Sequence, residues 1–170
     1  MVSRRRQRAL QSPRYLPITR ARRGSTEPGS PGEGRRSPWK GATVFQGKVL
    51  VVDDEVYILH ILDFSLGAEG YEVVTAANGE QALDKAVSEK PDLIVMDVMM
   101  PKLDGYETCR RLKEMPETKH IPVLLLTAKG RDVDRKKGFE VGADDYITKP
   151  FSPNKLIGRV QEILGISTGQ

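Results

Sequence analysis

Cysteine, histidine and long apolar runs are all scarce in this chain of 170 residues. Its single cysteine, Cys109, excludes a disulfide framework or a cysteine-rich metal site within one chain. The two histidines, His60 and His120, do not form the cluster that a zinc site requires. No apolar run approaches the roughly 20 residues that span a membrane. These absences predict a protein of a reducing, cytoplasmic setting with no membrane span.

Positive charge is concentrated at one end of the chain. Residues 1–46 hold 11 Lys and Arg against two acids, Glu27 and Glu33, a balance of +9. Residues 47–170 hold 16 basic and 21 acidic side chains, a balance of −5. The whole-chain pI of about 9.2 therefore describes the first segment only, and nucleic-acid binding is not expected from the rest of the chain.

The basic segment 1–46 has no hydrophobic periodicity and holds five of the eleven prolines. Such a segment buries too little apolar surface to offset the entropy lost on ordering. We predict either a disordered tail or an over-extended gene start, with the native protein beginning near Val44. Binding of nucleic acid or of an acidic surface through this segment is the alternative. The folded domain is expected over residues 47–166, followed by a short C-terminal tail, 167–170.

Short apolar runs alternate with helical patterns from Gly47 onward. Five βα units predict an α/β fold with a five-stranded parallel sheet and helices on both faces. Right-handed crossovers favour the flavodoxin-like strand order 2-1-3-4-5. The fourth helix is weakly apolar and highly charged, so we expect it to be the least anchored in the core. The predicted strands are 48–52, 71–76, 93–96, 123–126 and 145–148, and the predicted helices are 55–68, 80–88, 105–114, 132–140 and 152–164.

Polar side chains follow the apolar runs of four of these strands. Asp53 and Asp54 come after the first strand, Asp97 after the third, Thr127 after the fourth and Lys149 after the fifth. In open parallel sheets, ligands bind beyond the carboxyl ends of the strands. We therefore expect three carboxylates, a hydroxyl and an ammonium group to meet at one edge of the sheet.

This combination of groups suits phosphoryl transfer. Three neighbouring carboxylates repel one another unless a cation lies among them, and their hard oxygens favour Mg²⁺. Phosphoryl transfer depends mainly on positioning and on neutralising the charge of the transferred group. Asp97 would be the nucleophile and would form an aspartyl phosphate. Lys149 would neutralise one phosphoryl oxygen, and Thr127 would donate a hydrogen bond to another.

Five separate motifs in register resemble the receiver domain of two-component response regulators. The resemblance covers residues 47–166, the whole of the expected folded domain. The motifs are Val49-Leu-Val-Val-Asp-Asp-Glu55, Asp97 with Met100-Pro101, Asp104-Gly105, Thr127-Ala128, and Gly142-Ala-Asp-Asp-Tyr-Ile-Thr-Lys-Pro-Phe151.

The resemblance implies a phosphorylation-activated signalling switch. A histidine kinase or a histidine phosphotransfer protein would phosphorylate Asp97. Asp54 and Asp97 would bind Mg²⁺ directly, Asp53 would bind it through water, and the backbone carbonyl of Met99 would complete the protein ligands. The domain would catalyse its own phosphorylation and dephosphorylation but would not turn over an external substrate.

The resemblance also implies how the signal leaves the site. Lys149, Thr127 and Ala128 would surround the phosphoryl group, the small Ala128 leaving it accessible. Thr127 and Tyr146 would be the switch residues, and the peptide bond from Lys149 to Pro150 would be cis. Their shift would repack the face formed by the fourth helix, fifth strand and fifth helix, and so control binding of a downstream protein or homodimerisation. No output domain follows Gln170, which predicts a stand-alone receiver.

Other functions fit the residues less well. A hydrolase of the haloacid dehalogenase kind needs a second Asp where Met99 stands, and a flavodoxin needs a phosphate-binding loop where Asp53 and Asp54 would repel an anion. A P-loop signature is absent. Asp53 and Asp54 could instead cap the first helix. The main alternative is a phosphorylation-independent interaction module on the same fold, although such a module is expected to have lost at least one key residue.

Overall fold

The computed structural model describes residues 45–128 and 132–165, with only the backbone described for residues 132–135. Most of the basic segment 1–46 and the whole C-terminal tail 167–170 lie outside the described residues. The expected division of the chain into tail, domain and tail therefore stays a prediction. Within the described ranges, no helix has the length and apolar character needed to cross a membrane.

Strands and helices alternate through the described domain. The ten elements follow one another in the order β1 (Gly47–Val52), α1 (Val56–Ala68), β2 (Tyr71–Ala76), α2 (Gly79–Glu89), β3 (Leu93–Asp97), α3 (Gly105–Glu114), β4 (Val123–Ala128), α4 (Asp132–Glu140), β5 (Asp145–Lys149) and α5 (Pro153–Ile163). Every strand pairing is parallel, and the strand order is β2-β1-β3-β4-β5. The α/β fold and the strand order predicted from the sequence are confirmed.

Alternate residues of each strand enter two separate cores, one on each face of the sheet. In β1, Val49 and Val51 pack with α1 and α5, whereas Leu50 and Val52 pack with α2 and α3. Both faces of the central strands are therefore covered, which explains why β1, β3 and β4 are continuous apolar runs without alternation. The helices lie on both faces of the sheet, as predicted.

The last three strands extend further than the sequence pattern predicts. Parallel pairing continues through Asp97, which is opposite Leu126, and through Thr127 and Ala128, which are opposite Thr148 and Lys149. The polar residues thus end the strands and do not begin the loops that follow. Apolar patterning missed this because backbone pairing does not depend on the polarity of the side chain.

Candidate functional site

Three carboxylates meet at the carboxyl ends of β1 and β3, two neighbouring strands at the centre of the sheet. Asp53 and Asp54 follow β1, and Asp97 is the last residue of β3. One oxygen from each carboxylate lies within 4.8 Å of the other two. Asp53 and Asp97 are buried and Asp54 is exposed. The sheet therefore brings together the acids that the sequence predicted.

Lys149 reaches the carboxylates from the end of β5. Its Nζ lies 3.0 Å from Oδ2 of Asp53 and 3.2 Å from Oδ1 of Asp97. Strand β4 lies between β3 and β5, and its last residue, Ala128, pairs with Lys149. Because Ala128 has only a methyl group, the lysine side chain can extend across the end of β4 to the acids.

Burial and charge act in opposite directions on these groups. Burial raises the pKa of Asp97, the neighbouring Lys149 lowers it and Asp53 raises it, and the net result is a raised pKa. Burial lowers the pKa of Lys149, but its hydrogen bond to Asp53 and the charge of Asp97 raise it more, so the net shift is upward. Lys149 is therefore held as a cation beside a carboxyl group whose ionisation is costly.

Asp53 has a second role that the capping alternative anticipated in part. Its Oδ1 accepts a hydrogen bond from the backbone N–H of Glu55 at 2.9 Å, while Oδ2 accepts one from Lys149. Glu55 is the N-cap residue of α1 and makes no side-chain capping bond of its own. Asp53 thus orders the turn into α1 and also contributes its charge to the site.

The acids open onto a cleft of about 690 Å³. Met99, with 71% of its surface exposed, stands at its edge, and its backbone hydrogen-bonds to the Asp97 carboxylate. The residues that line the cleft are Asp54, Glu55, Tyr57, Ile58, Ile61, Leu62, Asp97, Met99, Ala128, Lys149, Pro150, Phe151 and Pro153. The sequence analysis did not predict the apolar wall of this cleft. Two features could have indicated it: the apolar residues at the start of α1 and Phe151 after β5.

The two predicted switch residues stand apart from this cleft. Thr127 is buried within β4, next to Ala128, and Tyr146 is half-buried in β5. Neither side chain lines the cleft. The peptide bond between Lys149 and Pro150 is cis. The structure therefore gathers Asp53, Asp54, Asp97 and Lys149 into one cluster and leaves Thr127 and Tyr146 in the strands beside it.

A second acidic pair in the sequence, Asp144 and Asp145, serves the fold. Oδ2 of Asp144 accepts hydrogen bonds from the backbone N–H of Val123 at 2.8 Å and from Nζ of Lys113 at 2.9 Å. Asp145 forms an ion pair with Arg159 of α5. These contacts fix the start of β5 at the end of the sheet opposite the cleft, so the carboxylates of this pair belong to a different region.

The cluster has the donor set of a divalent cation site. Its three carboxylates offer hard oxygen ligands within 4.8 Å of one another, and Asp54 and Asp97 face the open cleft. Hard oxygens suit Mg²⁺, which keeps several waters and takes one or two carboxylates from the protein. The residues present therefore fit a magnesium ion.

The family described as the response regulator receiver domain matches residues 49–161. The chain belongs to this family. It is 54% identical over 117 residues to the alkaline phosphatase synthesis transcriptional regulatory protein PhoP of Bacillus subtilis, covering 69% of this chain and 48% of that protein. The receiver-domain resemblance predicted from the sequence is confirmed.

Solved receiver domains share the fold. A response regulator structure from Chloroflexus aurantiacus is 43% identical with a TM-score of 0.67, and the match covers 70% of this chain and 98% of that one. The receiver domain of the sensor histidine kinase PA1611 from Pseudomonas aeruginosa is 31% identical with a TM-score of 0.65 and the same coverage. That structure has a magnesium ion coordinated in the active-site cleft.

The chain spans about half the length of the curated relatives that it matches. The prediction of a stand-alone receiver is therefore not confirmed. Curated relatives carry the names of transcriptional regulators, so the prediction that nucleic acid is not a partner except through the basic segment 1–46 is not confirmed either.

Proposed function

We propose that this receiver domain is a signalling switch that accepts a phosphoryl group on Asp97. The contact that carries the proposal is Nζ of Lys149, which lies between Asp53 and Asp97 at 3.0 and 3.2 Å. A cation fixed there neutralises charge on a phosphoryl group that is bonded to Asp97. The open cleft beside Asp97 gives a donor access to the carboxylate.

The donor is a phosphohistidine of a histidine kinase or of a histidine phosphotransfer protein. An oxygen of Asp97 attacks the phosphorus, the bond from phosphorus to the imidazole nitrogen breaks, and the released imidazole takes up a proton. Asp97 thereby becomes an aspartyl phosphate. The domain catalyses this transfer and the later hydrolysis on itself and does not turn over an external substrate.

A magnesium ion completes the proposed site. Asp54, Asp97 and the backbone carbonyl of Met99 would hold the ion, with Asp53 acting through water. When bound, the ion supplies charge neutralisation for the transferred group. Two features support this assignment: the three carboxylates lie within 4.8 Å of one another, and the related PA1611 receiver has magnesium in its cleft.

The proposed output is a change of surface at α4, β5 and α5. Thr127 would move toward the phosphoryl group, and Tyr146 would turn inward behind it. The changed surface would bind a downstream protein or a second copy of the chain in the cytoplasm. The names of the curated relatives suggest transcriptional control as the process that this output serves.

Intact mass after incubation with Mg²⁺ and acetyl phosphate tests the proposal. We expect a base-labile phosphate adduct that requires Mg²⁺ and is lost in Asp97→Asn. The matched control is Asp63→Asn, which alters an exposed aspartate of α1 outside the cleft and is expected to keep the adduct.

Failure of the adduct has two distinct meanings. If a phosphorylated histidine phosphotransfer protein modifies the wild type although acetyl phosphate does not, the switch stands and small donors are poor substrates. If neither donor modifies a folded protein that binds Mg²⁺, the domain is a phosphorylation-independent interaction module on the same fold.

A further inference from the structure

The described part of helix α4 approaches the sheet at a glycine. Among the α4 side chains that the structure describes, residues 136–140, Gly138 alone is buried. A Cβ at this position would lie 3.5 Å from Cδ1 of Leu125 in β4 and 3.9 Å from Cε1 of Tyr106 in α3. At Gly138 the helix therefore comes close to β4 and α3 without inserting a side chain.

The residues on either side of Gly138 contact two aromatic rings. Nζ of Lys137 lies 4.7 Å from the centroid of the Tyr106 ring, a cation–π contact. The ring of Phe139 meets that of Tyr146 edge-on, at 5.7 Å between centroids and 87° between planes. One contact thus ties α4 to α3, and the other ties it to β5.

The ring of Tyr106 is connected to the phosphoacceptor strand by a very short path. The preceding residue, Gly105, donates its backbone N–H to the carbonyl of Val98 at 3.0 Å. A Cβ on Gly105 would lie only 2.3 Å from the backbone oxygen of Asp97, so the first turn of α3 packs directly on that residue. A displacement of the backbone at Asp97 would therefore move Tyr106.

A pocket of about 550 Å³ lies between Lys137 of α4 and the turn that follows Asp97. Its lining includes Met99, whose carbonyl is a proposed metal ligand, and on the α4 side Lys137. The other residues of the lining are Val98, Met100, Pro101, Asp104 and Tyr106. The contact of Lys137 with Tyr106 bridges this open space between α4 and the first turn of α3, which packs on the backbone of Asp97.

We propose that Lys137 is a coupling residue, which links α4 to the turn after Asp97 through the ring of Tyr106. This bridge is a second route from the phosphorylation site to α4, separate from the one through Thr127 and Tyr146. The signalling part of the proposal rests on the proposed function, whereas the bridge itself does not. Removing the charge of Lys137 releases α4 without touching a residue of the phosphorylation site.

Amide hydrogen exchange of residues 132–141, measured without Mg²⁺, tests the bridge. Lys137→Met removes the charge and keeps a straight apolar side chain of similar helix propensity. We expect exchange about two- to fivefold faster than in the wild type, the range that one exposed cation–π contact allows. The matched control, Lys136→Met, changes the same charge one residue earlier on the exposed surface and is expected to leave exchange unchanged.

A ring replacement separates the bridge from a general effect of charge. In a Tyr106→Leu background, Lys137→Met is expected to add nothing, while in a Tyr106→Phe background its effect should be retained. The proposal would be overturned if Lys136→Met and Lys137→Met accelerated exchange equally. It would also be overturned if Lys137→Met still accelerated exchange in the Tyr106→Leu background. If Tyr106→Leu does not fold, the exchange rates of Lys136→Met and Lys137→Met in the Tyr106→Phe background decide whether the bridge exists.

Loading the site with Mg²⁺ and beryllofluoride tests the coupling. Loading is expected to change the amide exchange of α4 in all three proteins. We expect this change to be smaller in Lys137→Met, by a factor of about two or more, than in the wild type or in Lys136→Met. An equal response in all three proteins would overturn the coupling role. If loading leaves residues 97–105 of the wild type unchanged, the proposed function fails, and the unloaded comparison still decides whether the bridge exists.

Discussion

Helices α3 and α4 pack on the same face of the sheet but are held there in different ways. Helix α3 buries Gly105, Tyr106, Thr108, Cys109 and Leu112, and the carboxylate of Asp104 caps its start by accepting the N–H of Glu107 at 2.8 Å. In α4, the described side chains bury only Gly138. Helix α3 is fixed by its core, whereas the described residues 136–140 of α4 are attached by contacts at the surface.

The difference matches the tasks of the two regions. Helix α3 packs against the backbone of Asp97, where a phosphoryl acceptor must stay within a narrow geometry. Helix α4 belongs to the surface that is proposed to change on phosphorylation, and elements that move come from the least stable parts of a fold. The close packing of α3 therefore favours a rigid site, whereas the described residues 136–140 of α4 are held by weaker surface contacts.

Cavity-forming substitutions should show the contrast at its largest. Leu112 of α3 is fully buried, so Leu112→Ala is expected to lower the free energy of unfolding by about 2–5 kcal/mol. Phe139 of α4 is 54% exposed, and Phe139→Ala should cost no more than about 1.5 kcal/mol, mainly its ring contact with Tyr146. Urea unfolding of both variants measures the difference, and equal losses would show that α4 is anchored as firmly as α3.

Substituting one glycine in each helix should change stability less, and in opposite directions: Gly105 in α3 and Gly138 in α4. A Cβ at Gly105 would clash with the backbone oxygen of Asp97 at 2.3 Å, so Gly105→Ala is expected to destabilise the domain by about 1–3 kcal/mol. At Gly138 the nearest atom would be 3.5 Å away, an ordinary contact. Gly138→Ala should therefore stabilise the domain by about 0.5–1 kcal/mol through helix propensity. Thermal unfolding would contradict the comparison if both variants lost stability.

The features that the sequence predicted well are those encoded locally. Apolar runs and helical periodicity are properties of short segments, and parallel pairing then brings the strand ends, and with them Asp53, Asp97 and Lys149, to one edge. The charged composition of α4 likewise predicted a weakly anchored helix, and of its described residues 136–140 all except Gly138 are exposed. Such features depend on few contacts outside the segment, so they can be inferred from one amino-acid sequence.

The features that the sequence did not predict depend on side chains that meet across the fold. The apolar wall of the cleft, with Tyr57 and Phe151, combines the start of α1 with the turn after β5. The contact between Lys137 of α4 and Tyr106 of α3 joins two residues that are 31 positions apart in sequence. No periodicity within either segment encodes these pairings, because they follow from how the helices are placed on the sheet.

The third and smallest expected change in stability comes from the ionisation of Asp97. Unlike the substitutions in α3, replacing this residue by asparagine should stabilise the domain. Burial raises the pKa of Asp97, so the native state keeps this proton to a higher pH than the unfolded chain does. As pH rises from the ordinary pKa of Asp97 to the raised one, the free energy of unfolding falls, and the full penalty is present above the raised pKa. In chelator at pH 7, Asp97→Asn should therefore be more stable than the wild type.

Two conditions should remove or reverse this advantage. Below the ordinary pKa of Asp97 both proteins carry a neutral side chain there, so the gap measured by urea unfolding should close. Saturating Mg²⁺ at pH 7 should stabilise the wild type more than Asp97→Asn, because the variant lacks a charged ligand. A variant that is less stable than the wild type in chelator would show that the pair with Lys149 outweighs the burial of Asp97. The acceptor would then be held in place by that ion pair, and the rigidity of the site would not rest on the packing of α3 alone.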